Sequence, residues 1–203
     1  IFCSIFIWST IKKIMKLEIK NFRKLNLSQQ SSIRFLRNNS FIRKQMINSK
    51  IINDSEHKKW IDYIKNKKDT IIFVLFDQYK KVFGTVTISD IKDIKKSCYW
   101  SFFLKNNKMI GLGPSIEHTI INFIFYKMKL NTLYCNVLCK NTSVLSLNEK
   151  FGFEKIKTQK KSDKKVFKEI FLLKTTKKKW DQNKDFISKK YKKVFKKYEF
   201  KFN

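Results

Sequence analysis

The chain has 203 residues, 42% of them hydrophobic and 20 of them Phe, which is ample apolar material for a packed core and excludes an intrinsically disordered chain. At about 150 residues per domain, the length allows one domain and a short extension. The formal charge of +30 invites a nucleic-acid partner, yet the cations are mostly lysines spread along the chain, with arginine only at Arg23, Arg34, Arg37 and Arg43 and alanine absent; codon drift in an AT-rich genome gives that pattern, so no specific nucleic-acid partner is expected.

Residues 1–14 place an apolar run ahead of lysines, the reverse of a secretory signal and too short to span a bilayer. Translation is expected to start at Met15; a short membrane-touching segment is the alternative. A strand over 17–22 precedes a helix over 28–37 that opens on Ser28 as its cap. A second helix is announced by Asn53, Asp54 and Ser55, with Trp60, Ile61 and Ile64 as its apolar stripe. Three β-rich runs over 71–76, 82–89 and 98–104 then predict an antiparallel meander, and Gly84 inside the second marks a bulge or a close backbone neighbour.

The stretch KMIGLGPS at 108–115 gathers two of the chain's 4 glycines and its 1 proline. It follows a strand and opens a helix in which Ile116, Ile120, Ile124 and Met128 share a face, and Pro114 suits the first turn, where no amide hydrogen is required. Such a loop serves a phosphate well, because free amides converge there and the helix dipole adds partial positive charge. Gly111 and Gly113 would let the backbone approach a pyrophosphate; a plain connection uses the same residues. The loop is neither a Walker motif nor the three-glycine dinucleotide fingerprint.

A strand over 132–138 comes next. Asn141, Thr142 and Ser143 then cap a short helix with Val144, Leu145 and Leu147 on its apolar side, and Gly152 ends it in a left-handed turn. A last hairpin joins 153–157 to 166–173 through a lysine-rich loop. Beyond 174, Trp180, Ile187, Tyr191, Val194, Phe195, Tyr198 and Phe202 recur at helical spacing among lysines, which predicts a basic helical extension. It either lies on an acidic membrane surface or packs its aromatic stripe on the domain. The expected organisation is an N-terminal extension over 1–14, one domain over 15–173 and a Lys-rich tail over 174–203. Cys3, Cys98, Cys135 and Cys139 form no CxxC, and Cys135 and Cys139 stand too far apart along one strand to bridge. No zinc or other metal and no disulfide framework is expected, and a reducing cytoplasm is the simplest compartment.

The segment Asn141-x-x-Val144-x-x-Leu147-Asn148-Glu149-Lys150-x-Gly152-Phe153, with Lys108-x-x-Gly111-x-Gly113 one helix and one strand upstream, resembles the paired motifs of the GNAT N-acetyltransferase superfamily. Those motifs read N-x-x-A-x-x-L-Y-E-K-x-G-F and Q/R-x-x-G-x-G/A. The resemblance covers roughly 17–173. The runs at 43–46, 56–61, 96–102, 111–113 and 147–153 are similar to the branch of that superfamily that acetylates a UDP-linked 4-amino-4,6-dideoxy sugar in pseudaminic acid synthesis.

The resemblance implies an α/β fold with a mixed sheet, in which the strands at 98–104 and 132–138 splay apart, and acetyl-CoA as cosubstrate. The pantetheine arm would pair with the backbone of Phe102, Phe103 and Leu104. The loop of Lys108, Met109, Ile110, Gly111, Leu112, Gly113 and Pro114 would hold the pyrophosphate, with Asn141, Leu147 and Lys150 as neighbours of the cofactor. The implied reaction is direct transfer: a sugar amine attacks the thioester carbonyl, a backbone amide near Phe103 stabilises the oxyanion, and the thiolate leaves without an acyl-enzyme.

At the position where the family often has a tyrosine general acid, this chain has Asn148, which has no acidic proton. Either positioning dominates, or Tyr134 substitutes as the acid, or turnover is weakened. On the acceptor side, Arg43 and Lys44 would meet the UDP phosphates. His57 would bind the sugar nucleotide or relay a proton, or else face solvent. Tyr99 and Trp100 alternate, one to the cleft and one to the core. Glu117 and His118 are expected to pack or to complement the helix dipole. The alternatives are a ribosomal-protein or protein N-terminal acetyltransferase on the same fold, or a basic binding protein without turnover. Whether the chain acts alone or as a dimer stays open.

Overall fold

The computed structural model describes residues 14–105, 109–163 and 166–203. β1 (Met15–Asn21) leads through a 3-10 turn into α1 (Leu27–Asn38), α2 (Ser40–Lys44) and α3 (Asp54–Asn66). β2 (Ile71–Phe76), β3 (Val82–Lys92) and β4 (Ser97–Leu104) follow, then α4 (Leu112–Asn122), β5 (Thr132–Leu138) and α5 (Thr142–Lys150). The chain ends with β6 (Glu154–Asp163), β7 (Val166–Thr176), α6 (Lys177–Lys190), α7 (Lys192–Phe195) and β8 (Tyr198–Phe202).

The early helices start where side chains can satisfy their first amides. Asn53 opens α3 in a capping box with Glu56, as its sequence announces. For α1 the start moves upstream of Ser28: Asn26 caps the amide of Gln29 at 2.9 Å, and the Gln29 side chain returns the bond to Asn26. No apolar stripe announces α2, which is five residues long and capped by Asn39 on the amide of Phe41.

Among the described residues the strands form one mixed sheet in the order β6-β7-β5-β4-β3-β2-β1-β8. β2 to β4 make the expected antiparallel meander, β1 adds to β2 antiparallel, β5 lies parallel to β4, and β7 and β6 continue antiparallel. This is the mixed α/β fold the sequence predicts. Gly84 shows both of the alternatives expected of it: its partner Leu75 abuts a register shift, and an added Cβ would stand 2.7 Å from the backbone carbonyl oxygen of Phe103.

Alternation along the strands splits the core in two. Leu17, Ile19, Val86, Ile88, Cys98 and Trp100 turn to the face covered by α4. Ile72, Val74 and Phe76 turn to the other face, under Ile33 of α1 and Ile61 and Ile64 of α3. The helices α1 and α3 therefore occupy one side of the sheet, and α4 the other.

The tail departs from a continuous helix. α6 and α7 are followed by β8, which pairs in parallel with β1 from Met15↔Tyr198 to Ile19↔Phe202. In YEFKF an apolar residue at every second position suits a strand, and β1 offers an open edge to pair with. Of the two readings of the tail's aromatic stripe, packing on the domain is the one its contacts follow: Trp180 and Ile187 are fully buried, and Tyr191 and Phe195 lie against the core. Burying a side chain as large as Trp180 is worth about 1.5–3 kcal/mol or more. Among the described residues, no helix is long and apolar enough to cross a membrane.

Candidate active site

β4 and β5 stay paired only from Ser97↔Thr132 to Tyr99↔Tyr134. Beyond that point they part, and the gap becomes a wedge-shaped cleft of about 660 Å³. Its walls are Trp100 to Leu104 of β4, Cys135 to Leu138 of β5, and Asn141, Val144 and Asn148 at α5. Ile42, Met46 and Asn48 close it from the α2 side. Lys168 of β7 fixes that cover, donating to the carbonyls of Met46 at 3.1 Å and Ile47 at 2.7 Å.

The glycine loop sits at the start of α4. Gly111 is the N-cap at φ 86°, with no side-chain cap bond, and its carbonyl accepts from the Ser115 hydroxyl at 2.9 Å. The two glycines are required for different reasons. A Cβ on Gly111 would stand 2.3 Å from Val194 Cγ1 of α7, so the fold itself demands the missing side chain. A Cβ on Gly113 would meet nothing nearer than Leu147 Cδ2 at 3.8 Å, an ordinary contact. No neighbour among the described residues requires glycine there. Leu112 is buried and Ile110 is 78% exposed, so their side chains are not set to grip a ligand. Pro114 lies in the first turn as predicted. Lys108 lies outside the described residues.

Phe102, Phe103 and Leu104 line the wedge, and Leu147 packs beside Gly113. Asn141 reaches the wedge while its Oδ1 accepts from the Val144 amide at 3.4 Å and the Ser143 hydroxyl at 3.3 Å. Lys150 does not border the wedge; it lines a separate hollow between α5 and α6. Met109 packs on the core beside the loop.

Asn148 is 2% exposed on the floor of the wedge. Its amide donates to the Val144 carbonyl at 2.8 Å, and its Oδ1 accepts from the Cys135 thiol at 3.3 Å. Tyr134 belongs to the last ladder pair before the strands part, on the opposite face from Cys135, and stacks on Tyr99 with centroids 5.2 Å apart. Tyr99 lines the wedge and Tyr134 does not. Trp100 takes the core position, stacked on Phe102 and Phe153.

Glu117 is fully buried, both carboxyl oxygens lack a partner among the described residues, and burial pushes its pKa well above the usual value. Burial and then the Glu117 charge raise the Cys135 thiol, and burial alone pushes Cys98 up to about 12. His118 packs against Phe195 and meets the Ser188 hydroxyl at 3.2 Å, and burial lowers its pKa.

The sequence-derived residues of the acceptor side lie in different places. Arg43 spends its guanidinium on the carbonyls of Asn38 and Ser49, both at 3.1 Å, and neither it nor exposed Lys44 lines the wedge. His57 does not face solvent: it is 4% exposed, stacks on Trp60 and bonds the Gln30 carbonyl at 2.9 Å. It borders a second hollow of about 380 Å³ between α1, α3 and β3, along with Trp60, Ile72 and Thr87.

The two hollows share Arg37, Asn48 and Phe103. Arg37, which the sequence reading passed over, donates to the Asn48 carbonyl through one terminal nitrogen and has no partner for the other among the described residues. The available signal was the rarity of arginine in a chain drifted to lysine. Each Arg side chain makes a specific contact, Arg23 through four bonds to carbonyls at the end of α3 and the start of β2, and Arg34 on Asp54.

Residues 22–171 match the family model described as Acetyltransferase (GNAT) domain. The chain is 28% identical over 137 residues to Acetyltransferase PseH of Campylobacter jejuni subsp. jejuni serotype O:23/36, covering 68% of this chain and 84% of that protein. The crystal structure of Campylobacter jejuni N-acetyltransferase PseH superposes with a TM-score of 0.57 at 23% identity, covering 79% of this chain and 98% of that one. Spermidine N-acetyltransferase from Vibrio cholerae, in complex with CoA and spermine, superposes with a TM-score of 0.71 at 17% identity, covering 81% and 97%.

Proposed function

The chain belongs to the GNAT acetyltransferase family and is an acetyl-CoA-dependent N-acetyltransferase, and from that premise we propose that its acceptor is the 4-amino group of a UDP-linked amino-dideoxy sugar of the pseudaminic acid type. The observation that carries the reading is the meeting of two hollows at Phe103. The wedge between β4 and β5 suits the donor's pantetheine arm, with the backbone around Gly113 open to its diphosphate. The hollow under α1 and α3 suits a nucleotide: Trp60 and His57 offer flat rings, and Arg37 offers a terminal nitrogen that has no partner among the described residues. The likeness to PseH supports a sugar-amine acceptor. The charged lining of that hollow, Arg37 and Lys50 against Glu56, favours an anionic acceptor over a polyamine such as the spermine bound by the Vibrio protein.

In this reading the neutral amine nitrogen bonds the acetyl carbon, the carbon–sulfur bond breaks with its electron pair leaving on CoA as thiolate, and the nitrogen releases one proton to solvent to give the amide. The protein's part is chiefly orientation, which can supply about 7–11 kcal/mol in favourable cases, against ~10²- to 10⁴-fold from one acid or base. An acyl-cysteine route is disfavoured, since Cys98 at about 12 and the raised Cys135 supply no thiolate near neutral pH. Asn148 keeps the wedge floor shaped without donating a proton.

The test is incubation of the full chain and labelled acetyl-CoA with UDP-4-amino-4,6-dideoxy sugars, with spermidine and with basic peptides. Label on the sugar nucleotide is expected. Label only on peptide favours a protein acetyltransferase and overturns the sugar reading, as does label only on spermidine.

A further inference from the structure

Residues 177–202 lie beyond the stretch that matches the family, and their packing converges on the start of α4. α6 is anchored along α4 and the turn after it: Trp180 Nε1 donates to Asn122 Oδ1 at 3.0 Å, and the Tyr126 hydroxyl donates to Asp181. At the other end β8 is anchored on β1. Between these anchors the chain crosses the glycine loop. Val194 occupies the space a side chain on Gly111 would need, and the Tyr198 hydroxyl donates to the Ile110 carbonyl at 2.9 Å. Two consecutive loop residues are thus held by a segment that lines no part of the wedge. The exposed Ile110 side chain gives the loop little packing of its own.

A loop that must present its backbone to a charged ligand loses affinity if it is ordered only on binding. We propose that Tyr198 and Val194 are positioning residues for the acetyl-CoA diphosphate, the C-terminal strap pre-ordering residues 110–113 before the donor arrives. This rests on reading the loop as the diphosphate cradle. Both residues act through the loop backbone and touch no reacting atom.

The test compares Kd for CoA, by calorimetry, with Kd for pantetheine, titrated at millimolar concentration by NMR, in the full chain and in Tyr198→Phe and Val194→Ala. Pantetheine carries the thiol arm and no diphosphate. In Tyr198→Phe, Kd for CoA is expected to rise about three- to tenfold, the usual worth of one neutral hydrogen bond. Kd for pantetheine should stay within about twofold in the same comparison. Val194→Ala should shift in the same direction. Equal losses for the two ligands, or none for either, in a variant that melts like the parent overturn the proposal. If Tyr198→Phe does not fold, Val194→Ala decides by the same comparison. A parent chain that binds pantetheine as tightly as CoA removes the cradle reading itself, and the strap's role with it.

Discussion

Cys135 and Asn148 face each other across the floor of the wedge, the thiol donating to the amide oxygen at 3.3 Å. Asn148 also donates to Val144 one turn back, so its side chain is committed on both ends to β5 and α5. In this arrangement it is a structural amide, not a proton source. Asn148→Ala is therefore expected to lower kcat less than about tenfold, short of the ~10²- to 10⁴-fold that removal of a general acid costs. The pH profile of kcat/KM should keep its shape. A larger loss, with one limb of the profile gone, would make Asn148 part of a proton relay.

Glu117 makes stability depend on pH. The unfolded chain ionises this carboxyl near the usual 4.5, whereas burial keeps it protonated well above that in the folded chain. Below the unfolded value both states hold the proton and nothing is lost. As the pH rises the unfolded state alone releases it, and folding weakens by about 1.4 kcal/mol per unit until the folded carboxyl also ionises. Glu117→Gln should match the parent's melting temperature most closely near pH 4.5 and gain on it steadily toward pH 8. A difference that is the same at both pH values would mean that the carboxyl is not held neutral.

Local chemistry made much of this fold legible in the sequence. β5 spans the predicted 132–138, because a β-rich run there is bounded by polar residues. α3 starts after Asn53 and α5 after Asn141, because caps are local devices. What was not legible depended on distant partners. The spacing of Tyr191, Val194, Phe195, Tyr198 and Phe202 fits a helix, and YEFKF fits a strand equally well; the open edge of β1 decided the matter. The burial of His57 was not legible, because the acceptor of its ring nitrogen, the Gln30 carbonyl, is 27 positions away. The parting of β4 and β5 came only from the family resemblance, since no residue pattern announces where a ladder stops.

Arg37 is expected to govern the acceptor and leave the donor alone. It stands where the two hollows meet, with one terminal nitrogen unpartnered among the described residues. A hydrogen bond to a charged group is worth about 1.5–3 kcal/mol, so Arg37→Met should raise KM for the sugar nucleotide roughly ten- to hundredfold. KM for acetyl-CoA should change little. Arg43, whose guanidinium is spent on backbone carbonyls, should instead lower the melting temperature when replaced by Met. If the two variants exchange these effects, the acceptor site is elsewhere.

The glycine loop offers a test in which two neighbouring positions should respond oppositely. At Gly111, alanine meets both a left-handed φ of 86° and Val194, so Gly111→Ala should destabilise the chain by roughly 1–3 kcal/mol and lower its melting temperature by several degrees. At Gly113 the backbone is helical and the nearest atom is 3.8 Å from a Cβ, so Gly113→Ala should melt like the parent. Its cost should fall on the ligand: the added methyl occupies the approach to the loop backbone and should weaken CoA binding about tenfold, or ~1.4 kcal/mol. If Gly113→Ala binds CoA normally, the backbone there does not receive the donor. If it melts as early as Gly111→Ala, then the fold requires both glycines and the loop offers no evidence of a ligand.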